Sequence, residues 1–139
     1  MIPAADLYEA IATRLHTAGV GVWKTSGMYA DSETGIVIKR MPATPNTVIT
    51  LTLYDRPMNF NPRFTHERLR LQARVRTPAG RVIDVDTLAE KVTAALIGDH
   101  MDWSGIPVTK CHRASYLPIG EDSNGRPEIS MNFELILPR

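Results

Sequence analysis

Residues 68–76, Arg-Leu-Arg-Leu-Gln-Ala-Arg-Val-Arg, alternate polar and apolar side chains over nine positions without a break. A period of two belongs to a β-strand, so Leu69, Leu71, Ala73 and Val75 fall on one face and Arg68, Arg70, Gln72, Arg74 and Arg76 on the other. Such a strand is roughly 30 Å long. Four guanidiniums along one side of it repel one another unless solvent, acidic neighbours or a partner offset them. The chain therefore needs a sheet with a core against one face, and its strongly polar other face is the leading place to meet a partner.

The rest of the chain supplies that sheet and its cover. Residues 128–137 alternate as cleanly, with Ile129, Met131, Phe133, Leu135 and Leu137 opposite Ser130, Asn132 and Glu134. Residues 47–54 place Ile49, Leu51 and Leu53 on one side and are rich in β-branched residues. Residues 35–40 read as a short apolar strand that Pro42 and Pro45 break, because neither proline can donate a ladder hydrogen bond. Residues 107–117 alternate more loosely, and Asn124-Gly125 marks a turn before the last strand.

Two segments carry helical spacing instead. Over residues 3–18, Leu7, Ala10, Ile11, Leu15 and Ala18 form one apolar stripe, with Pro3 as a tolerable first position, Asp6 as an alternative cap and Gly19 as the stop. Over residues 85–97, Val85, Leu88, Val92 and Leu96 recur at the same spacing, with Asp84 or Asp86 as cap and Gly98 as the stop. Residues 19–23 form a short extended piece, and residues 24–34 and 99–105 read as loops, the latter carrying His100, Asp102 and Trp103. Residues 55–67 are too long for a tight turn. Their aromatics Phe60 and Phe64 either plug the loop onto the domain or dock into a neighbouring subunit. The sum is a single α+β domain over residues 1–139: a mostly antiparallel or mixed sheet with two helices packed on one face, in the order α-β-β-β-α-β-β.

Charge is segregated under a net value of only +1. Residues 39–81 hold nine Lys or Arg against two acids, a balance of +7, residues 82–139 hold five against nine, or −4, and residues 1–38 hold two against four, or −2. That distribution suits head-to-tail contact between identical subunits as well as it suits nucleic acid. Glu128, Glu134 or the acids of the second helix are the partners available to the arginines. The outward positions of the arginine strand include no ring on which a base could stack, which disfavours single-strand recognition and leaves only charge for duplex DNA.

Chemistry finds little purchase. The four histidines and the lone Cys111 make no close ligand pair, no Gly-x-Ser-x-Gly elbow occurs, and neither glycine-rich phosphate loop is present. Cys111 cannot form an internal disulfide and reads as a small buried hydrophobe. Asp84 and Asp86 read as helix caps and not as an acid–base pair. No catalytic residue, metal site or cofactor is expected. No apolar run approaches membrane-spanning length, and residues 1–18 lack the pattern of a secretion signal, so the chain is expected to stay where it is made.

Taken in order, these segments resemble the small tail-terminator proteins of long-tailed bacteriophages, often described as minor tail or minor capsid proteins. The features that carry the resemblance are the opening Pro3-Ala-Ala-Asp6-Leu7 helix, Gly19-Val-Gly21-Val22, Gly35-Ile-Val-Ile38 before Met41-Pro42, the arginine strand with its following helix, and Asn124-Gly125-Arg126-Pro127 before Ser130-x-Asn132-Phe133. The resemblance implies a structural virion protein and not an enzyme. It implies a hexameric ring on the head-proximal end of the tail tube that stops tube polymerisation and offers a docking surface to neck or head-completion proteins, with DNA passing through without sequence-specific binding. It also implies assembly in the host cytoplasm and residence at the tail–neck junction. Under that reading Arg68, Arg70, Arg74, Arg76, Phe60, Phe64, Glu128 and Glu134 are candidates for subunit or DNA-channel contact. The alternatives are a neck or head-completion connector, or a DNA-binding module built on the arginines.

Overall fold

The computed structural model describes residues 2–57, 61, 63 and 65–138. Phe60 and Phe64 lie outside the described residues. Helix α1 (Ala4–Thr17) is followed by strands β1 (Val22–Trp23), β2 (Gly35–Ile38), β3 (Val48–Tyr54) and β4 (His66–Arg76), then helix α2 (Asp84–Leu96) and strands β5 (Gly98–Trp103), β6 (Ile106–Glu121) and β7 (Pro127–Pro138). The strands form one sheet in the order β1-β2-β3-β4-β7-β6-β5. β1, β2 and β3 are parallel, and every other pairing is antiparallel.

β4 and β7 lie side by side at the centre, so the two cleanest alternations in the sequence reinforce each other. Leu69 faces Leu135, Leu71 faces Phe133, Ala73 faces Met131 and Val75 faces Ile129. All eight are buried, in one cluster with Leu7, Ile11 and Leu15 of α1 and Val85, Ala89, Val92 and Leu96 of α2. Burying a side chain of this size contributes about 1.5–3 kcal/mol. The same register sets Arg70 beside Glu134, Gln72 beside Asn132, Arg74 beside Ser130 and Arg76 beside Glu128 on the opposite face.

Several elements depart from the pattern read in the sequence. α1 ends at Thr17 and Ala18 is exposed, so the apolar stripe stops at Leu15. Residues 22–23 are an edge strand paired with β2, and residues 98–103 are strand β5 and not a loop, which makes the order α-β-β-β-β-α-β-β-β. Gly98 does not stop α2: Ile97 already turns extended and Gly98 opens β5. The reason is tertiary, because β5 pairs with the first half of β6 from Gly98↔Cys111 to Trp103↔Ile106 and buries Trp103. Neither Asp84 nor Asp86 caps α2 through its side chain. Asp84 meets Arg81 at 3.0 Å, and Asp86 accepts a hydrogen bond from the Tyr116 hydroxyl.

The turn at residues 122–126 has the geometry its residues require. Gly125 takes φ 74°, a left-handed conformation that costs glycine least. Asp122 accepts from the backbone N–H groups of Asn124 and Arg126 at 2.9 and 3.0 Å. The chain is thereby reversed into β7 with Arg126 aimed back across the sheet.

Candidate assembly interface

The polar face of β4 and β7 divides into two ends. At the end nearest residues 43–46 the side chains are covered by the chain itself. Arg76, 3% exposed, donates from Nε to the carbonyl of Asn46 at 3.0 Å and from Nη2 to those of Pro45 and Ala43 at 2.7 and 3.5 Å. Arg126, also buried, donates from Nη1 to the Ala43 carbonyl at 2.7 Å and to Asn46 Oδ1 at 3.2 Å, and from Nε to Asp122 at 2.8 Å. Two guanidiniums thus hold one proline-containing loop over the end of the sheet. Burial and the Arg126 charge push the Arg76 guanidinium below its ordinary pKa, yet it stays protonated because arginine starts so high.

Arg76 was expected to face outward for a partner, and it does lie on the non-core face. The loop nevertheless removes it from solvent, so it is not available for contact. Glu128 is buried at the same end and takes Arg74 Nε at 2.8 Å.

The far end is open. Arg68 approaches Glu134 at 3.5 Å, and Arg70 lies between Glu134 at 3.9 Å and Asp55 at 3.7 Å. The Arg68 side chain is 64% exposed. Tyr54 donates to Asn132 at 2.8 Å across the face, and Asn132 donates to Ser115 at 2.7 Å. Contacts of 3.5–3.9 Å made by arginines this exposed are loose, each worth roughly 0–1 kcal/mol. Among the described residues, the acids that offset the arginines of β4 come from β7 and from Asp55 just after β3, and none comes from α2.

The guanidiniums of this face are shared with acids of the same chain. A phosphate-binding strip leaves its guanidiniums uncommitted, whereas Arg68, Arg70 and Arg74 already share Glu134, Asp55 and Glu128. Asp55 and Arg126 were not singled out in the sequence. Asp55 gave no signal beyond its place after a strand, but Arg126 stood in the Asn-Gly-Arg-Pro turn, whose geometry fixes where its side chain points.

Among the described residues, no group of three or more His, Cys, Asp or Glu residues could hold a metal ion, and no helix is long and apolar enough to cross a membrane. Burial pushes the Cys111 thiol up to about 12, so it remains protonated at neutral pH and packs as a small hydrophobe. A shallow groove of about 630 Å³ lies between the start of α1 and the β5–β6 turn, bordered by Ile2, Asp6, Ile106 and Pro107.

Comparison with known proteins gives a family match and a fold match. Residues 14–139 match the family model described as "Bacteriophage tail terminator protein". No curated protein matches the sequence. Among solved structures, a chain of the "Virion of native gene transfer agent (GTA) particle" superposes with a TM-score of 0.65 at 14% identity, covering 100% of both chains. A second solved chain gives 0.59 at 15% identity, covering 97% of this chain and 96% of the other. At such identities the structural likeness speaks for the fold alone.

Proposed function

The chain belongs to the bacteriophage tail terminator family, a family of structural tail proteins and not of enzymes, and from that premise we propose that it forms a hexameric ring capping the head-proximal end of the tail tube. In that place it stops tube polymerisation and presents the surface onto which a neck or head-completion protein docks, at the tail–neck junction of a virion assembled in the host cytoplasm. The whole chain, residues 1–139, acts as one domain in this role. No cofactor or metal takes part.

The observation that carries this reading is the open end of the polar sheet face. Arg68 and Arg70, with Glu134 and Asp55, form a charge-balanced surface there, opposite the packed helices, and Arg74 with the buried Glu128 borders it. A surface of that kind orients a protein partner by matching alternate charges and contributes little affinity of its own. Arg68, the most exposed of the three arginines, is on this reading the candidate to border a channel through which DNA passes without sequence-specific contact.

Incubation with polymerising tube protein tests the proposal. Tube lengths in negative stain should shorten as the protein is added, with rings at one tube end. A neck or head-completion protein would leave the length distribution unchanged, and that result would overturn the capping role.

A further inference from the structure

The turn that aims Arg126 holds a peptide bond with chemistry of its own. The chain has five asparagines, and only Asn124 is followed by glycine. In an Asn-Gly pair no Cβ hinders the approach of the glycine nitrogen to the asparagine side chain. Asn124 is exposed to water, the one co-reactant required.

The reaction open to such a pair is deamidation. The Gly125 backbone nitrogen gives up its proton to solvent and attacks Asn124 Cγ. The Cγ–Nδ2 bond breaks, ammonia leaves with a proton from solvent, and a five-membered succinimide remains. Water then opens the ring at one of its two carbonyls. Opening at Cγ leaves aspartate at position 124, whereas opening at the main-chain carbonyl leaves isoaspartate, whose backbone runs through the former side chain and is one methylene longer. Nothing is oxidised or reduced in either step.

The fold holds the attacking nitrogen in another role. Gly125 N–H donates to the Asp122 carbonyl at 3.0 Å, and Asn124 N–H donates to the Asp122 carboxylate at 2.9 Å. An N–H bonded across the turn is harder to deprotonate, and the carboxylate beside it disfavours a second negative charge. The turn is also pinned from outside. Arg126 reaches the Ala43 carbonyl and Asn46, and a Cβ added to Gly125 would lie 3.7 Å from that of Ala79. Reaction therefore waits on local opening of the turn.

We propose that Asn124 is a deamidation site which the Asp122 turn holds unreacted, and that its reaction loosens the grip of Arg126 on residues 43–46. Three hydrogen bonds close the chain across the Asn124–Gly125 bond. Asp122 N–H donates to the Arg126 carbonyl at 3.0 Å, Arg126 N–H to Asp122 Oδ1 at 3.0 Å, and Arg126 Nε to Asp122 Oδ2 at 2.8 Å. An extra methylene inside that closure spoils its fit. Either product also adds a carboxylate to a turn that already carries Glu121 and Asp122. Both changes fall on the segment that aims the Arg126 guanidinium.

The test holds the full chain in mildly alkaline buffer, folded or in urea, and follows conversion of the amide at position 124 by peptide mapping with mass spectrometry. In urea Asn124 should react ahead of the other four asparagines. The folded chain should react there at least about tenfold more slowly, and Asp122→Ala, where it folds, should speed the folded reaction several-fold. An Asn124 no faster than the others in urea would overturn the site, and equal rates in the folded and unfolded chains would overturn the protection. Thermal melts read the second half of the proposal. At equal conversion the aged wild-type chain should lose melting temperature, whereas an aged Arg126→Ala chain should lose little more than it already has, because its grip on the loop is gone. Arg126→Lys takes its place should the alanine variant not fold. An undiminished melting temperature in the aged wild type, or an equal drop with and without Arg126, would overturn the coupling to the loop.

Discussion

Arg76 and Arg70 stand on the same face of the same strand, six residues apart, and have opposite surroundings. Arg76 is 3% exposed and donates to three backbone carbonyls of residues 43–46. The Arg70 side chain is 46% exposed and lies 3.7–3.9 Å from two carboxylates. One arginine is part of the folded structure and the other is part of its surface. Residue type and strand position are the same in both cases, so only what lies above the face separates them.

Substitutions measure that separation. Arg76→Ala should have the largest effect, about 3 kcal/mol by chemical denaturation, because it removes charge-assisted hydrogen bonds and strands buried carbonyls. A loss under about 1 kcal/mol would show that the 43–46 loop needs no anchor. Arg126→Ala should follow at about 2 kcal/mol. It leaves the Asp122 contact and the Ala43 carbonyl without that guanidinium.

Tyr116→Phe tests a tie on the other face, where the hydroxyl donates to Asp86 and the ring lies 4.8 Å from the Arg113 guanidinium. Removing the hydroxyl should cost about 1 kcal/mol. Burial, followed by the Asp86 hydrogen bond, raises Tyr116 to about 12, so no tyrosinate contributes to stability at neutral pH. At the open end, Arg68→Ala and Arg70→Ala should each change stability by less than about 0.5 kcal/mol. A measurable loss of tube capping by these folded variants would assign the open face to a partner. A stability loss matching that of Arg76→Ala would erase the distinction between the two ends.

Acid gives the smallest effect and sharpens the covered end. The backbone N–H of Arg126, with that of Asn124 and the Arg126 guanidinium, holds the Asp122 carboxyl below its ordinary range against the opposing effect of desolvation. The folded state thus favours the carboxylate. Its contribution is complete above the unfolded aspartate value of about 4 and is lost as pH falls from there through the lower folded value. Asp122→Asn should flatten that acid limb of a stability–pH curve, and an unchanged limb would remove Asp122 from the clamp.

Much of the fold was legible because its central strands announce themselves. Leu69 to Val75 and Ile129 to Leu137 alternate cleanly, and both bury their apolar face in register with each other, while Arg76, Glu128 and Ser130 show that the polar face is covered as well at one end. β5 was not legible. Gly-Asp-His-Met-Asp-Trp has no alternation of its own and becomes a strand only because β6 is there to pair with it. The pairing of arginines with Glu128 and Glu134 was within reach of the sequence, since those acids lie on the polar face of the other clean strand. The contribution of Asp55 was not, because a loop residue's direction depends on the strand that precedes it.

The sequence by itself determined which side chains share a face, since alternation is a local property written in consecutive residues. Only the tertiary structure decided which of them water reaches. Arg76 is covered by residues some thirty positions away and Arg126 by residues some eighty away, and no local period encodes contacts between segments so distant in the chain.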